Sequence, residues 1–495
     1  IFAEVLGMSV QDVSDEAHFV EELGGDSLQA IELAALLEKK YQVFISDATL
    51  LECNNVTEIT DVILKQLKQQ PNPDSWRIIK NKVKRQPISS FDKIRELQYF
   101  HRQKEMAGDY NPYFVHHDSV IRDTSLVDNK VVINLGSYNY LGLSGDPRTI
   151  KAAQDAIVKY GTSASGSRLL TGEKTLYREL EKELAEWKSS EDAIVLVSGH
   201  ATNVTFVGNF CNENDLIIYD ALSHNSIEQG CRLAKCESKA FPHNDFHTLD
   251  SILAQNRNYY EKVLIIIEGV YSMDGDIAPV PEFVALKKKY GAFLMVDEAH
   301  SACVLGEYGR GVDEYFNLEP DDIDIRMGTL SKGLGTCGGY LAGKKDFIEY
   351  LRYSLPGFVF SVGINPGSAA ATLEALHILK KDNSMVQRLH NNIDVFLEEA
   401  HKRNFHTCLA QKTAIIPILV GSDESAFFLS KLLQTKGVFV PPAVYPAVPK
   451  GKSRLRFCIT SEHKQEQLIY ALDALQELAQ EHQIQLPSYT QTIAS

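Results

Sequence analysis

Between about residue 130 and residue 365, short runs of β-branched and other apolar residues alternate with segments long enough to form helices. This alternation is typical of an α/β domain whose strands lie mostly parallel and are joined by helices that cross the sheet. The apolar runs predict strands at Ala193–Val197, Leu216–Tyr219, Val263–Ile267, Phe293–Val296 and Ile323–Met327. Because ligands bind at the carboxyl ends of parallel strands, polar residues directly after these runs are the first candidates for a site.

The rest of the chain divides into segments of different character. Residues 1–69 have helical periodicity, which predicts an all-α domain. A polar, proline-bearing stretch then opens a predicted linker and N-terminal arm at 70–129. The large α/β domain is predicted at 130–365, followed by a smaller α+β domain at 366–485 and a tail at 486–495.

Composition argues against several classes of function. A formal net charge of −15 disfavours a nucleic-acid partner, and the apolar runs are far shorter than a membrane span. The eight cysteines are scattered singly without the spacing of zinc ligands, so we predict no metal site and a reducing, cytoplasmic location. Because the chain begins abruptly at Ile1 and not at Met, we expect upstream domains of a larger polypeptide.

The stretch GGDSLQ, at Gly24–Gln29, allows two interpretations of Ser27. It contains GDSL, the signature of hydrolases whose serine is a nucleophile, but such a serine follows a first β-strand and needs a later histidine. The residues before Ser27 predict a loop and a helical turn. From Phe19 to Leu37 the sequence FVEELGGDSLQAIELAALL resembles acyl and peptidyl carrier proteins. The resemblance implies a four-helix domain of which this chain lacks about half of the first helix. It also implies that Ser27 carries 4′-phosphopantetheine and takes no part in bond breaking.

A second candidate site combines a lysine loop with a strand end. Lys332 lies in GTLSKGLGTCGG among small residues that let a cofactor approach closely, and Asp297 and His300 follow an apolar strand in VDEAH. The lysine could bind a carbonyl covalently, contact a phosphate or be exposed. The phosphate loop of nucleoside triphosphatases is excluded, because Lys345 stands where that loop requires a magnesium-binding hydroxyl. A dinucleotide site is excluded as well, because no GxGxxG joins a strand to a helix.

Pyridoxal phosphate is the cofactor whose requirements these residues meet. Its aldehyde needs a lysine, its pyridine nitrogen a buried carboxylate, and its phosphate needs hydroxyls and backbone N–H groups at a helix N-terminus. Lys332 and Asp297 meet the first two requirements. Candidate phosphate ligands and a ring-stacking partner are Thr329, Ser331, Ser198, Gly199, His200 and His224.

Seven motifs in one order resemble the α-oxoamine synthases, pyridoxal-phosphate enzymes of fold type I that include serine palmitoyltransferase and 8-amino-7-oxononanoate synthase. They lie between about 131 and 463 and read GSYNYLGLSGDP, GSRLLTGE, DALSHNSI, EGVYSMDGDIAP, MVDEAHSACVLGEYGRG, GTLSKGLGTCGG and SRLRFCITSEH. The resemblance implies a large, mostly parallel sheet domain, a small α+β C-terminal domain, and a homodimer with shared active sites.

The resemblance also implies a role for each matching residue. Lys332 binds the cofactor, Asp297 pairs with its ring nitrogen and His224 stacks on the ring. His300 and Ser272 lie near the phenolic oxygen of the cofactor, and Arg454 binds the carboxylate of the amino acid. The phosphate ligands are Ser198, Gly199, His200, Thr329, Ser331 and, from the other subunit, Ser361. His200 departs from the family's usual Tyr or Phe, which is tolerable where the backbone makes the contact.

The reaction implied is a decarboxylative Claisen condensation of an α-amino acid with an acyl thioester, giving an α-amino ketone, CO2 and a free thiol. A carrier domain on the same chain predicts that the acyl group arrives on the arm of Ser27. Such fusions resemble modules of polyketide-like natural-product biosynthesis. The saxitoxin type, which joins arginine to a propionyl unit, is favoured over the prodigiosin type with serine or glycine. An aminotransferase on the same fold is the alternative, and Lys332 argues against an inactive relative.

Overall fold

The computed structural model describes residues 1–17, 23, 33, 36–37, 40–41, 43, 55–69 and 111–488. The chain separates into two compact units, Ile1–Glu96 and Leu97–Ser495. Ser27, residues 70–110 of the predicted linker and arm, and residues 489–495 of the predicted tail lie outside the described residues. The predictions made for them stay predictions.

The regular elements that the structure describes in the first unit are helices joined by loops. It contains helix α1 (Phe2–Leu6), a 3-10 turn at Val10–Asp12 and helix α2 (Val56–Gln69). The spacing of its buried residues follows the helical period, since Ile59 and Ile63 lie one turn apart on α2. Its small core consists of Phe2, Leu33, Leu37, Ile59 and Ile63.

The strands of the second unit begin after its N-terminal segment. In chain order they are β1 (Thr124–Val127), β2 (Lys130–Asn134), β3 (Asp192–Leu196), β4 (Leu216–Asp220), β5 (Glu237–Phe241), β6 (Val263–Glu268), β7 (Phe293–Asp297), β8 (Ile325–Thr329), β9 (Gly339–Gly343), β10 (Ile415–Gly421), β11 (Val438–Phe439), β12 (Pro442–Ala443) and β13 (Ser453–Cys458).

The helices of this unit connect and cover the strands. They are α3 (Pro147–Tyr160), α4 (Thr175–Trp187), α5 (Gly199–Phe210), α6 (Asn225–Leu233), α7 (Phe246–Asn256), α8 (Val280–Tyr290), α9 (Val312–Tyr315), α10 (Lys345–Ser354), α11 (Pro356–Val359), α12 (Pro366–Lys381), α13 (Ser384–Lys402), α14 (Asp423–Thr435) and α15 (Gln465–Glu481). Among the helices that the structure describes, none has the length and apolar character needed to cross a membrane.

The large sheet has seven strands in the order β3-β9-β8-β7-β6-β4-β5. The run from β8 to β5 is parallel throughout, while β9 is antiparallel to both of its neighbours. The α/β architecture predicted from the sequence is therefore confirmed. Gly338–Lys345, whose glycines and lysines invited comparison with a phosphate loop, contains strand β9 instead.

Two small sheets form the remainder of the second unit. The first, β1-β2-β11, joins a hairpin that precedes the large sheet to a short strand near the C-terminus, and the second has the order β10-β13-β12. Strand β2 pairs in parallel with β11. Strand β13 lies between β10 and β12 and carries two buried arginines, Arg454 and Arg456.

Candidate active site

The carboxyl ends of four strands meet at one edge of the large sheet. Asp220 ends β4, Glu268 ends β6, Asp297 ends β7 and Thr329 ends β8, and all four residues are buried. Glu268 and Asp297 are register partners, so the two acids stand side by side. Acidic groups buried at the ligand-binding edge of a parallel sheet indicate a functional site.

A chain of three polar side chains ends at Lys332. The loop after β8 carries Lys332, whose Nζ lies 2.7 Å from Nε2 of His300. Nδ1 of the same imidazole lies 2.8 Å from the hydroxyl of Tyr140. His300 is placed by the turn that follows β7, three residues after Asp297. The structure thus brings together Lys332, Asp297 and His300, which the sequence had singled out, and adds Tyr140.

The environment sets the protonation of this chain. Burial lowers the pKa of Lys332 to about 8, with a further lowering by Arg456 and opposing contributions from Asp297 and Glu268. Burial, with the nearby charges of Lys332 and Arg456, holds the pKa of His300 well below its usual range. A neutral His300 that accepts from Lys332 at Nε2 carries its proton on Nδ1 and donates it to Tyr140. The amine is therefore available as a nucleophile near neutral pH.

The carboxylate of Asp297 is fixed from two sides. Oδ2 accepts a hydrogen bond from Nδ2 of Asn203 at 2.7 Å, and Oδ1 accepts one from the backbone N–H of Ala299 at 2.9 Å. Asn203 also donates to Ser226 at 3.0 Å, and the Ser226 hydroxyl lies 2.7 Å from Nδ1 of His224. This relay ties the predicted ring-stacking histidine to the predicted nitrogen ligand.

A helix start and two hydroxyls form a site suited to a phosphate group. Ser198 caps helix α5 by accepting a hydrogen bond from the N–H of Ala201 at 3.1 Å, and Gly199 is the first residue of the helix. A Cβ at Gly199 would lie 2.9 Å from Cβ of Thr329. The Thr329 and Ser331 hydroxyls are 2.7 Å apart. The free N–H groups and dipole of a helix N-terminus favour an anion at this place.

The two arginines of β13 have different surroundings, and the predicted role of Arg454 as carboxylate ligand stays a prediction. Nη1 of Arg454 forms an ion pair with Asp274 at 2.6 Å and also donates to the carbonyl of Met273. Arg456 lies with its Cζ 5.0 Å from the ring centre of Tyr138, and the Lys332 amine is 5.8 Å from the same centre. Nη2 of Arg456 is buried with no partner among the described residues. Arg456, not Arg454, therefore faces the lysine.

The other predicted residues lie around this centre. His200 and His224 have ring centres 6.3 Å apart and nearly perpendicular planes. The carbonyl of Ser272 accepts a hydrogen bond from Nε of Arg456 at 2.6 Å, which places the Ser272 loop against the same arginine. Ser361 lies after α11, and its hydroxyl donates to the carbonyl of Val362 at 3.3 Å. Its predicted contact across a dimer stays a prediction.

Sequence reasoning missed several residues of the centre. Arg456 was passed over although it stands two residues from Arg454 and therefore on the same face of the strand. Tyr140 and Tyr138 lie in the quoted stretch GSYNYLGLSGDP, but nothing local shows that they reach His300 and Lys332. Asn203 lies just over one turn after Ser198 in α5, and only the packing of that helix brings its side chain to Asp297.

These residues fit pyridoxal phosphate. An amine of lowered pKa, a buried carboxylate and a pair of hydroxyls are the donors and acceptors that its aldehyde, ring nitrogen and phosphate require. Because a side chain at Gly199 would collide with Thr329, the glycine lets the Thr329 hydroxyl lie directly against the start of α5. Lys332 would bind the aldehyde, Asp297 the ring nitrogen, and Thr329, Ser331 and the start of α5 the phosphate.

Two family comparisons match different parts of the chain. Residues 130–475 match the sequence model of the family described as aminotransferase class I and II. Residues 1–63 match the model of the phosphopantetheine attachment site, a range that includes Ser27.

Individual relatives match most of the second unit. The chain is 41% identical over 357 residues to 8-amino-7-oxononanoate synthase of Thermoanaerobacter pseudethanolicus, which covers 72% of this chain and 90% of that protein. It is 38% identical over 396 residues to 8-amino-7-oxononanoate synthase 1 of Bacillus velezensis, covering 80% and 98%. The solved serine palmitoyltransferase of Sphingomonas wittichii matches with a TM-score of 0.76 at 31% identity, covering 81% of this chain and all of that one.

Proposed function

The chain belongs to the class I and II aminotransferase family and, within it, to the pyridoxal-phosphate-dependent α-oxoamine synthases, and from this we propose which substrates it takes and which residues act on them. It condenses an α-amino acid with an acyl thioester with loss of CO2. We place the acyl group on a phosphopantetheine arm at Ser27. The products are then an α-amino ketone, CO2 and the free carrier thiol. The observation that carries this proposal is a phosphopantetheine attachment domain on the same chain as the Lys332 centre.

Arg456 is the proposed ligand of the amino acid's carboxylate. Its Nη2 is a buried donor without a partner among the described residues, and its Nε is held by the carbonyl of Ser272 at 2.6 Å. Because Nη1 also donates to Sγ of Cys458 at 3.1 Å, the guanidinium is held in one orientation and presents Nη2 to a carboxylate. The ring of Tyr138, 5.0 Å from Cζ of Arg456, limits where the substrate can lie.

Lys332 is the proposed proton acceptor at Cα of the amino acid. Its pKa of about 8 makes the amine an effective base near neutral pH. The Nε2 atom of His300, 2.7 Å away, accepts a hydrogen bond from that amine and fixes its direction. Because the pKa of His300 lies well below its usual range, the imidazole stays neutral and does not repel the protonated lysine.

Bound pyridoxal phosphate supplies the electron sink that lets Cα lose its proton and attack the thioester carbonyl. Asn203 and the N–H of Ala299 fix the two oxygens of Asp297, whose carboxylate would pair with the ring nitrogen. His224, oriented by Ser226 at 2.7 Å, would stack on the ring. Thr329 and Ser331 with the start of α5 would hold the phosphate.

The carrier supplies the electrophile at high local concentration. A thioester linked to the same polypeptide reaches the site as an intramolecular substrate, so its effective concentration is set by the linker and not by the cell. This role gives the N-terminal domain a purpose that a simple aminotransferase would not require. An aminotransferase would release neither CO2 nor a free carrier thiol.

For the amino acid and the acyl group, we propose arginine and a propionyl unit as the first pair to test, as in saxitoxin-type modules. Serine or glycine, as in prodigiosin-type modules, is the alternative. Asp274, in the loop whose Ser272 carbonyl contacts Arg456, already pairs with Arg454 at 2.6 Å and so does not distinguish arginine from the other two. The choice is tested by supplying arginine, serine and glycine separately to the propionyl-loaded chain.

Intact-protein mass spectrometry tests the proposal. Phosphopantetheinylated chain is loaded with propionyl or other acyl groups and given one amino acid at a time. We expect the acyl mass to leave the carrier together with CO2 when the correct amino acid is present, and Ser27→Ala to abolish this reaction. Retention of the acyl group with every amino acid, or undiminished turnover of Ser27→Ala at low concentrations of acyl-coenzyme A, would contradict the carrier as donor.

A further inference from the structure

A lysine outside the Lys332 centre is completely enclosed by protein. Lys188 follows the last residue of α4 and has no exposed surface. Its Nζ forms ion pairs with Glu298, 2.6 Å from Oε1, and with Asp313, 3.0 Å from Oδ2, and it donates a hydrogen bond to the carbonyl of Arg310. The buried charge is therefore balanced by two carboxylates and contacts one carbonyl oxygen.

The charges around Lys188 balance. Oδ1 of Asp313 accepts a hydrogen bond from Nε of Arg326 at 2.9 Å. Both Glu298 and Arg326 are buried. Two acids and two bases thus form a neutral buried cluster of Lys188, Glu298, Asp313 and Arg326. Although burial alone would lower it, Glu298 and Asp313 raise the pKa of Lys188, so the lysine stays charged. Removing one member of such a cluster leaves an uncompensated charge inside the protein.

Glu298 connects this cluster to the active site. It directly follows Asp297, and neighbouring residues at a strand end point to opposite faces of the sheet. Its Oε2 accepts hydrogen bonds from the N–H of Val312 at 2.9 Å and the hydroxyl of Ser301 at 3.2 Å. Its carbonyl accepts the N–H of Ala302 at 3.0 Å. These bonds define the turn that contains His300.

The packing around Glu298 leaves no room for a side chain at Gly311. Gly311 has a φ of +86°, and a Cβ there would lie 1.9 Å from Oε2 of Glu298 and 3.2 Å from Nζ of Lys188. The second glycine of the GRG sequence is therefore required for the carboxylate and the ammonium to meet. The contact is a built feature of this turn and not an incidental ion pair.

We propose that Lys188 is a positioning residue for the reaction: by fixing Glu298 it fixes the turn that presents Asp297 and His300 to the Lys332 centre. Lys188 touches neither substrate nor cofactor and acts only through Glu298. This inference rests on the proposed placement of the cofactor at Lys332. Loss of the ammonium would release Glu298, and the turn would then shift Asp297 and His300 by enough to change both cofactor binding and the protonation of Lys332.

The test compares Lys188→Met with Lys287→Met. Lys287 is nearly buried, with its Nζ 3.0 Å from Asp324, but Asp324 precedes β8 at the opposite edge of the sheet. Cofactor affinity is measured by equilibrium dialysis, the pH midpoint of the visible absorbance of the bound cofactor by titration, and stability by the Tm of the cofactor-free chain. Borohydride reduction of the wild type, followed by peptide mapping, independently shows whether the cofactor is bound at Lys332.

We expect Lys188→Met to lower cofactor affinity at least about tenfold and to shift the midpoint, whereas Lys287→Met loses Tm without either change. Lys188→Arg, which restores charge and donors, should recover the midpoint even where Tm stays low. If Lys188→Met does not fold, Ser301→Ala, which removes one hydrogen bond from Glu298, should produce the same shift on a smaller scale. The proposal is overturned if the Lys188 or Ser301 variants keep wild-type affinity and midpoint, or if Lys287→Met changes them equally. Absence of a reduced adduct at Lys332 would instead refute the placement of the cofactor.

Discussion

The amine of Lys332 lies among groups that shift its pKa in opposite directions. Burial and Arg456 favour the neutral amine, while Asp297 and Glu268 favour the ammonium, and the result is a pKa of about 8. A lysine in water would be almost fully charged at neutral pH. The centre therefore makes a nucleophile available without a separate base, and each neighbouring charge can be tested for its share.

Asp297→Asn should lower the pKa of Lys332 further, because it removes a charge that stabilises the ammonium. Labelling of Lys332 in the cofactor-free chain by an amine-specific reagent, followed by peptide mass spectrometry, should show a midpoint near pH 8 for the wild type and a lower one for the variant. The control is Asp215→Asn, because Asp215 lies directly before β4, away from the Lys332 centre, and its ion pair is to Lys262. A midpoint that rises in Asp297→Asn would contradict the electrostatic account.

A second residue-scale prediction concerns His243, which lies between two buried acids. Nδ1 is 3.0 Å from Asp220 and Nε2 is 2.9 Å from Asp276, while the ring of Tyr271 packs edge-on at 4.5 Å. Although burial alone would lower it, the hydrogen bonds of Asp220 and Asp276 raise the pKa of His243 to about 10. Burial keeps the pKa of Tyr271 well above its usual range, so the phenol does not titrate in this window.

Because the pKa is higher in the folded chain than in the unfolded one, the stabilisation is complete below about pH 6.5 and is lost as the pH rises toward 10. Relative to His243→Gln, the wild type should lose on the order of 3 kcal/mol of unfolding free energy across that interval. Urea unfolding of both cofactor-free proteins at several pH values measures the difference. A gap independent of pH would mean that His243 is neutral in the folded chain.

At the scale of single elements, strand β13 shows what a sequence pattern can predict and what it cannot. Arg454 and Arg456 stand two residues apart, so the period of a strand puts both on one face, and the pattern SRLRFC could not distinguish them. The difference arises from residues distant in sequence, since Asp274 neutralises Arg454 while Tyr138 and Lys332 lie beside Arg456. The pattern predicted the strand and its face, but it could not show which of the two arginines has a free donor beside Lys332.

The two arginines should therefore respond differently to truncation. Arg456→Ala should raise the KM for the amino acid about 10- to 100-fold, the loss of one charge-assisted interaction. Arg454→Ala should lower Tm, because it leaves Asp274 without its cation, while changing KM far less. Steady-state kinetics with the amino acid varied, together with thermal unfolding, makes the comparison. Equal effects on KM from the two variants would restore Arg454 to the site.

Some other elements could be predicted from their own residues, whereas others form only because of contacts distant in sequence. The buried strands β6 and β7 were predictable because continuous apolar runs leave no alternative to a sheet interior. Strand β9 was not, since the glycine-rich GYLAG has little strand propensity and is stabilised by its two antiparallel neighbours. Asp297 and Lys332 could be associated from sequence because the strand-end rule applies to both, whereas Asn203 reaches Asp297 only through the packing of α5.

At the scale of the whole molecule, two exposed apolar side chains of the second unit lie on neighbouring segments. Leu170 is 80% exposed and Phe360 is 87% exposed. Their segments are adjacent, since Ser167 forms a β-bridge with Val362 and its hydroxyl donates to the carbonyl of Val359 at 2.6 Å. Exposed apolar surface of this kind is typical of an interface. Because Ser361 lies in the same segment, we propose that a second copy of the chain covers it.

If so, Leu170→Ser combined with Phe360→Ser should convert a dimer into a monomer that loses activity, as light scattering during size-exclusion chromatography would show. Tyr259→Ser, which changes an 82% exposed residue outside these segments, should leave the dimer intact.

Coexpression of Lys332→Ala and Ser361→Ala chains tests whether Ser361 acts across the dimer. About half of the dimers are then hybrids, and each hybrid contains one complete site out of two, so about one quarter of wild-type activity should be recovered. Activity no higher than that of the separate variants would mean that Ser361 serves the site of its own chain.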